Sequence, residues 1–203
     1  YEYFYWDYVI GVLLCSLIFA FTLGSFGSEG RSFLADLKQA EWGNIGSAFL
    51  GGIVFNAGNI LLAAAIAICG LSVAFPVGIG LALVLGVLIN YFGAAKGEPL
   101  FIFTGVVLIC AAIVLNGLAY RKMLSGSKKV PAKGIGISIA AGVIMAFFYR
   151  FVAASIDLSN FADPAPGKLT PYTAVFIFAV GIFVSNFLFN TIAMRHPVEG
   201  EPI

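Results

Sequence analysis

Gly51-Gly52-Ile53-Val54-Phe55-Asn56-Ala57-Gly58-Asn59-Ile60-Leu61-Leu62-Ala63-Ala64-Ala65-Ile66-Ala67-Ile68-Cys69-Gly70 runs without a single charged side chain. About 20 apolar residues are enough to carry one helix across the hydrocarbon core of a bilayer. A lipid-facing barrel strand would alternate polar and apolar positions, and this run does not. It predicts a transmembrane helix.

The same pattern recurs on both sides. Six spans meet the length test, at about 8–22, 46–69, 73–92, 100–120, 134–154 and 171–194. Hydrophobic residues make up 61% of the 203 positions and charged residues 10%, against about a quarter charged in a soluble domain. Such a chain could not cover itself with polar surface in water, whereas lipid tails accept it. The fold class is therefore all-α and integral to a membrane, one transmembrane domain over residues 1–203 with the lipid bilayer as its first partner. A net charge of +1 with no clustered basic face argues against a nucleic-acid partner. Cys15, Cys69 and Cys110 all fall inside apolar runs and read as small core residues, without metal spacing.

Gly70-Leu71-Ser72 joins the second span to the third, and Gly93 through Glu98 joins the third to the fourth, so these three stack as antiparallel neighbours. The first connection is longer. Its Phe33, Leu37 and Ala40 recur at helical spacing opposite Asp36, Lys38 and Glu41, which suits either a short surface helix or a solvated loop. Arg121, Lys122, Lys128, Lys129 and Lys133 crowd the fourth connection without an acid among them. The positive-inside rule places that loop in the cytoplasm and the Asp157/Asp163 loop outside. Both ends, Tyr1-Glu2-Tyr3-Phe4 and Glu201-Pro202-Ile203, look like cuts within a longer protein.

Small residues four apart let helices approach closely in lipid. Gly78, Ala82 and Gly86, continued by Asn90, form one such stripe. Gly134, Ser138, Gly142 and Ala146, continued by Arg150, form a second, and Ala48, Gly52 and Asn56 a third. Their plain meaning is tight packing; smooth faces would also let two bundles rock about a solute. The amides are more telling, because an unsatisfied amide in hydrocarbon costs several kcal/mol. Each of Asn56, Asn59, Asn116, Ser185, Asn186 and Asn190 taken singly reads as an interhelical hydrogen bond, but their number, with Thr22, Tyr120 and Tyr149, points to a polar interior over six isolated bonds. Groups that both donate and accept suit a neutral, hydrogen-bonding solute.

Ionisable groups at depth are few. Arg150 costs about 2.5–3.5 kcal/mol at mid-bilayer unless it snorkels to the interface. Asp7, between Trp6 and Tyr8 at the mouth of the first span, reads as an interface anchor or a proton acceptor. Pro76, followed by Gly78 and Gly80, either marks a helix start or lets the third span bend or unwind, as at transporter binding sites. Gly27-Ser28-Glu29-Gly30-Arg31-Ser32 lacks the spacing and lysine of a phosphate loop. No triad, zinc motif or nucleophile elbow is present, so an enzyme is not expected.

Several of these segments together resemble the ureide permease family: Tyr5-Trp6-Asp7-Tyr8, Thr22-Leu23-Gly24-Ser25, Gly51 through Leu62, Gly70 through Gly80, and Lys168-Leu169-Thr170-Pro171-Tyr172 with Asn186 and Asn190. That family and the related bacterial glucose/ribose porters belong to the drug/metabolite transporter superfamily. The resemblance implies about ten helices in two inverted five-helix repeats with a central solute, the six spans here corresponding to the second through seventh. Plant members carry a longer central loop with a phosphate-loop-like motif; Ser125-Gly126-Ser127-Lys128-Lys129 lacks it. Family substrates span allantoin-like ureides, nucleobases and sugars.

The reading is a secondary transporter of a small polar solute, coupled to a proton or other ion gradient and needing no bound cofactor. Asn56, Asn59, Asn116, Tyr120, Ser185, Asn186 and Asn190 are the expected lining, with Asp7, Arg150 and Pro76 the coupling or gating candidates. The competing reading is a non-transporting subunit packed in a homo-oligomer or a larger membrane complex. The expected location is a bacterial inner membrane or a plasma membrane.

Overall fold

A computed structural model describes residues 2–26, 30–93, 97–123 and 130–197. Its helices are α1 (Glu2–Phe21), α2 (Phe33–Gln39), α3 (Trp42–Cys69), α4 (Leu71–Gly93), α5 (Pro99–Met123), α6 (Ala132–Ala146), α7 (Phe148–Ser155) and α8 (Pro171–Arg195). Among the described residues six helices are long and apolar enough to cross a membrane, with α6 and α7 counted as one span. Among the described residues the isolated bridge Ile156–Leu169 is the only β pairing. The protein is an all-helical integral membrane protein.

Local chemistry sets the boundaries. Pro99 and Pro171 open α5 and α8, where a missing N–H costs nothing. Gly70 alone separates α3 from α4, at φ 79°, a left-handed conformation that a Cβ would disfavour. The hairpin is thus tighter than the three-residue link expected.

Several expectations need correction. The first span starts at Glu2 rather than near Tyr8, so Asp7 lies on an exposed face inside α1 and not at its mouth. Helix α4 runs unbroken through Pro76, which removes one helical bond in the second turn without unwinding the chain. The interruption falls instead in the fifth span, at Phe147, whose N–H turns back to the Ile144 carbonyl at 3.2 Å. Cys15 and Cys110 are exposed, and only Cys69 is buried. The segments 27–29 and 124–129, which hold part of the phosphate-loop echo and Lys128 and Lys129, lie outside the described residues.

The chain divides into two compact units. The first comprises residues 2–56 and 148–191, hence α1, α2, the start of α3, α7 and most of α8. Its apolar centre gathers Ala48, Leu169, Ala174 and Ile177, flanked by Phe49 and Phe176. In the same unit the rings of Phe55, Phe148 and Phe178 meet at tilted to edge-on angles, with centroids 5.2–5.8 Å apart.

The second unit comprises residues 57–147 and the end of the chain from 192. Here two of the expected small-residue stripes meet each other. A Cβ built on Gly142 would lie 2.5 Å from the Gly78 carbonyl, and one on Gly78 3.3 Å from the Ser138 carbonyl. That proximity is possible because neither helix carries a side chain at the crossing. Gly134 packs on Cys69 in the same way, and Gly80 receives the Ile113 side chain from α5. No residue in the spanning part of α5 is buried.

Candidate functional site

Within the first unit, α3 and α8 touch backbone to backbone. A Cβ on Gly52 would collide with the Phe178 carbonyl and stand 3.0 Å from the Gly181 Cα, while one on Gly181 would strike the Phe49 carbonyl. Two glycines at one crossing therefore set the spacing, and the next turn of each helix meets through polar groups. Asn56 is fully buried. Its Nδ2 donates to the Ile182 carbonyl at 3.2 Å and to Ser185 Oγ at 3.0 Å. Its Oδ1 accepts from the Tyr5 hydroxyl of α1 at 2.8 Å, so one amide ties three helices.

Farther along α8 the accounting changes. Asn186 and Asn190 are both fully buried. Asn190 Nδ2 donates to the Glu2 carbonyl at 3.0 Å, but its Oδ1 has no partner. Asn186 has none for either amide atom. Three unpaired polar atoms in one helical turn are costly, at about 1–3 kcal/mol for each group left unsatisfied. The structure brings Asn56 and Ser185 into direct contact, with Asn186 next along α8.

The remaining expected residues sit elsewhere. Asn59, Asn116 and Tyr120 belong to the second unit. Asn59 is half-buried, while Asn116 lies on an exposed face of α5, where Nδ2 bonds the Ala112 carbonyl of its own helix at 2.9 Å. Thr22 is exposed and bonds its own helix at Ile18, and Tyr149 is exposed. These groups do not form a buried lining among the described residues. Arg150 is also exposed; it does not continue the buried stripe of α6, because the interruption at Phe147 intervenes. Sequence reasoning gave Tyr5 no place among the candidate site residues, although it bonds Asn56. Its signal was available in the spacing Glu2, Tyr5, Val9, Ser16, Ala20, the buried stripe of α1.

It also missed the clasp at the helix ends. Helix α2 forms, but Asp36 is fully buried and not on a solvated side. Its Oδ2 accepts from Thr170 N at 2.8 Å and from the Thr170 hydroxyl at 3.0 Å. Its Oδ1 accepts from Arg31 Nε at 3.0 Å and from Gln39 Nε2 at 3.1 Å. Arg31 in turn donates to the carbonyls of Pro164 and Lys168 at 2.7 and 3.1 Å. The α1–α3 and α7–α8 connections are thereby knitted together at one end of the unit. A buried carboxylate is tolerable only with such complete pairing.

A family model for ureide permeases matches residues 4–133, well over half of the chain. The chain belongs to the ureide permease family. Ureide permease 2 of Arabidopsis thaliana is 26% identical, with 98% of this chain and 65% of the relative covered. Ureide permease 5 of the same plant is 29% identical over 98% of this chain and 64% of its own length. Probable ureide permease A3 of Vigna unguiculata is 25% identical, covering 98% and 70%. The chain thus spans about two thirds of the length of these relatives. No solved structure matches. The relatives are named permeases and not enzymes. The family-model match includes Tyr5 and Asn56 and stops before α8.

Proposed function

We propose that the full-length protein is a secondary transporter of a neutral ureide-class solute, and that Asn56, Ser185, Asn186 and Asn190 lie on its path. The observation that carries this is Asn186, fully buried with both amide atoms unpartnered. An amide offers two donors and an acceptor, the complement of the alternating N–H and C=O groups of a ureide. A conformation that opens α8 towards the solute would repay the unmade bonds of the closed state, giving the solute a differential affinity for the open one. The names of the relatives supply the solute class.

The finer parts of this reading follow the family resemblance: a ten-helix inverted repeat, of which these spans are part, and a drug/metabolite transporter ancestry shared with sugar porters. Asn59, Asn116 and Tyr120 complete the lining in that larger assembly. Asp7 is the proton-coupling candidate, an exposed carboxylate on α1, with Arg150 and Pro76 as gating candidates. Residence in a plasma membrane or bacterial inner membrane belongs to the same proposal.

Uptake of radiolabelled allantoin into liposomes holding the full-length protein tests it. Asn186→Ala should weaken apparent affinity about threefold to tenfold, the loss of one or two neutral hydrogen bonds, at unchanged folded yield. Wild-type uptake kinetics in that variant would remove Asn186 from the path.

A further inference from the structure

We infer that the clasp encloses a second solute site, selective for a neutral, planar, carbonyl-bearing ring. Where the two connections meet, a cavity of about 510 Å³ is lined by Gly30, Arg31, Ser32, Phe161, Thr170 and Tyr172 among others. Small-molecule pockets run from about 300 to 1,000 Å³. The cavity lies at the start of α8, and fourteen residues separate Tyr172 from Asn186. At 1.5 Å per residue that is about 21 Å along the helix, so the two places are distinct.

The uncommitted groups define the ligand. A guanidinium carries five N–H donors. Among the described residues Arg31 uses three of them, on Asp36, Pro164 and Lys168. The Thr170 hydroxyl is held by Asp36 and Thr173, and Ser25 by Ala20 and Phe33. Among the described residues the hydroxyls of Ser32 and Tyr172 make no hydrogen bond, and Ser32 leaves its α2 cap position unfilled. Remaining donors on Arg31, Ser32 and Tyr172 call for carbonyl acceptors. Charge selects among carbonyl ligands. Asp36 already neutralises Arg31, and Asp163 Oδ1 stands 3.8 Å from the same guanidinium. An anion would meet two carboxylates there; a neutral carbonyl would not. The exposed rings of Phe161 and Tyr172 offer flat apolar surface to a planar solute. The site would hold solute at one mouth of the pathway. Its physiological solute rests on the transporter reading, while its donor set does not.

Equilibrium dialysis of radiolabelled hydantoin, a neutral ring with two carbonyls, against the purified full-length protein tests the inference. The wild type should bind two equivalents. Combining Ser32→Ala with Tyr172→Phe should leave one, the other weakened about tenfold or more, with the melting temperature unchanged. The Ser32 side chain is exposed and bonds nothing among the described residues, while the backbone carbonyl that Asp36 N bonds is kept in alanine, so its loss leaves the fold intact. Wild-type stoichiometry and affinity in the double variant would overturn the site, as would a carboxylated hydantoin that binds there as tightly as the neutral ring. Asn186→Ala should weaken the other equivalent about threefold to tenfold. If it weakens neither, the α8 path fails while the clasp site stands on the Ser32/Tyr172 result.

Discussion

The α3–α8 and α4–α6 crossings use the same device and put it to different ends. Both bring backbones together at glycine, Gly52 against Gly181 in one unit and Gly78 against Gly142 in the other. Beyond the glycines they diverge. At α4–α6 the buried polar side chain is Ser138, which bonds its own helix at the Gly134 carbonyl, 2.9 Å away. At α3–α8 the next turn is Asn56, which bonds across to α8 and α1, followed by the unpaired Asn186. Small residues alone therefore mark packing. Small residues leading into amides that the fold does not satisfy are the ground on which the solute path is proposed.

The sharpest way to break this comparison is to fill the glycines. Gly52→Leu drives a side chain into the Phe178 carbonyl and the Gly181 backbone, which no rotamer change relieves. The cost should reach or exceed the upper end of the about 1–3 kcal/mol typical of overpacking. Gly142→Leu meets the Gly78 carbonyl and the Leu81 Cβ and should behave alike. Detergent-extracted, monodisperse yield measures both. Near-normal yield for either would mean that its crossing is looser than described.

An amide test should give the opposite sign. Asn186→Leu keeps the side chain branched at Cγ with the same number of heavy atoms, somewhat bulkier, while replacing two unsatisfied atoms by methyl groups. It should raise stability by about 1 kcal/mol, since an unpaired buried group costs that much or more, and at the same time abolish allantoin uptake. Greater stability with intact uptake would show that the row is merely unpaired. Lower stability would mean that water or another helix satisfies the amide.

How far the sequence carried each region follows from the range of its signals. The six spans were legible because hydropathy is local: each of Ala48, Gly52 and Asn56, or Gly134, Ser138 and Gly142, falls on the face its spacing assigned. The clasp was not legible, because Asp36 looks solvated in a short amphipathic segment. Its partner Thr170 lies 134 positions away, and only the closed fold joins them. The interruption at Phe147 also left no mark, having neither proline nor glycine, whereas Pro76 advertised a break that its helix absorbs. Among the amides, chemistry pointed to all alike. Burial then separated Asn56, Asn186 and Asn190 from Asn116, which a helix can satisfy from its own Ala112 carbonyl.

The smallest expected effect tests whether the α4–α6 crossing stays tight along its length. Gly86 is the last member of the α4 stripe, yet a Cβ there would lie 3.6 Å from the Ala146 carbonyl and 3.9 Å from the Ala146 Cα. Those are ordinary van der Waals separations, so the crossing has opened between Gly142 and Gly86. Gly86→Ala should therefore be accepted without displacement. Alanine also restricts the unfolded chain and suits a helix interior, by about 0.4–1 kcal/mol in each accounting of the same change. The expected result is a small rise in melting temperature in detergent, with Gly142→Ala falling as its control. A fall at Gly86 matching that at Gly142 would mean that the helices stay in contact at both positions. The whole α4 stripe would then be packing surface of one kind.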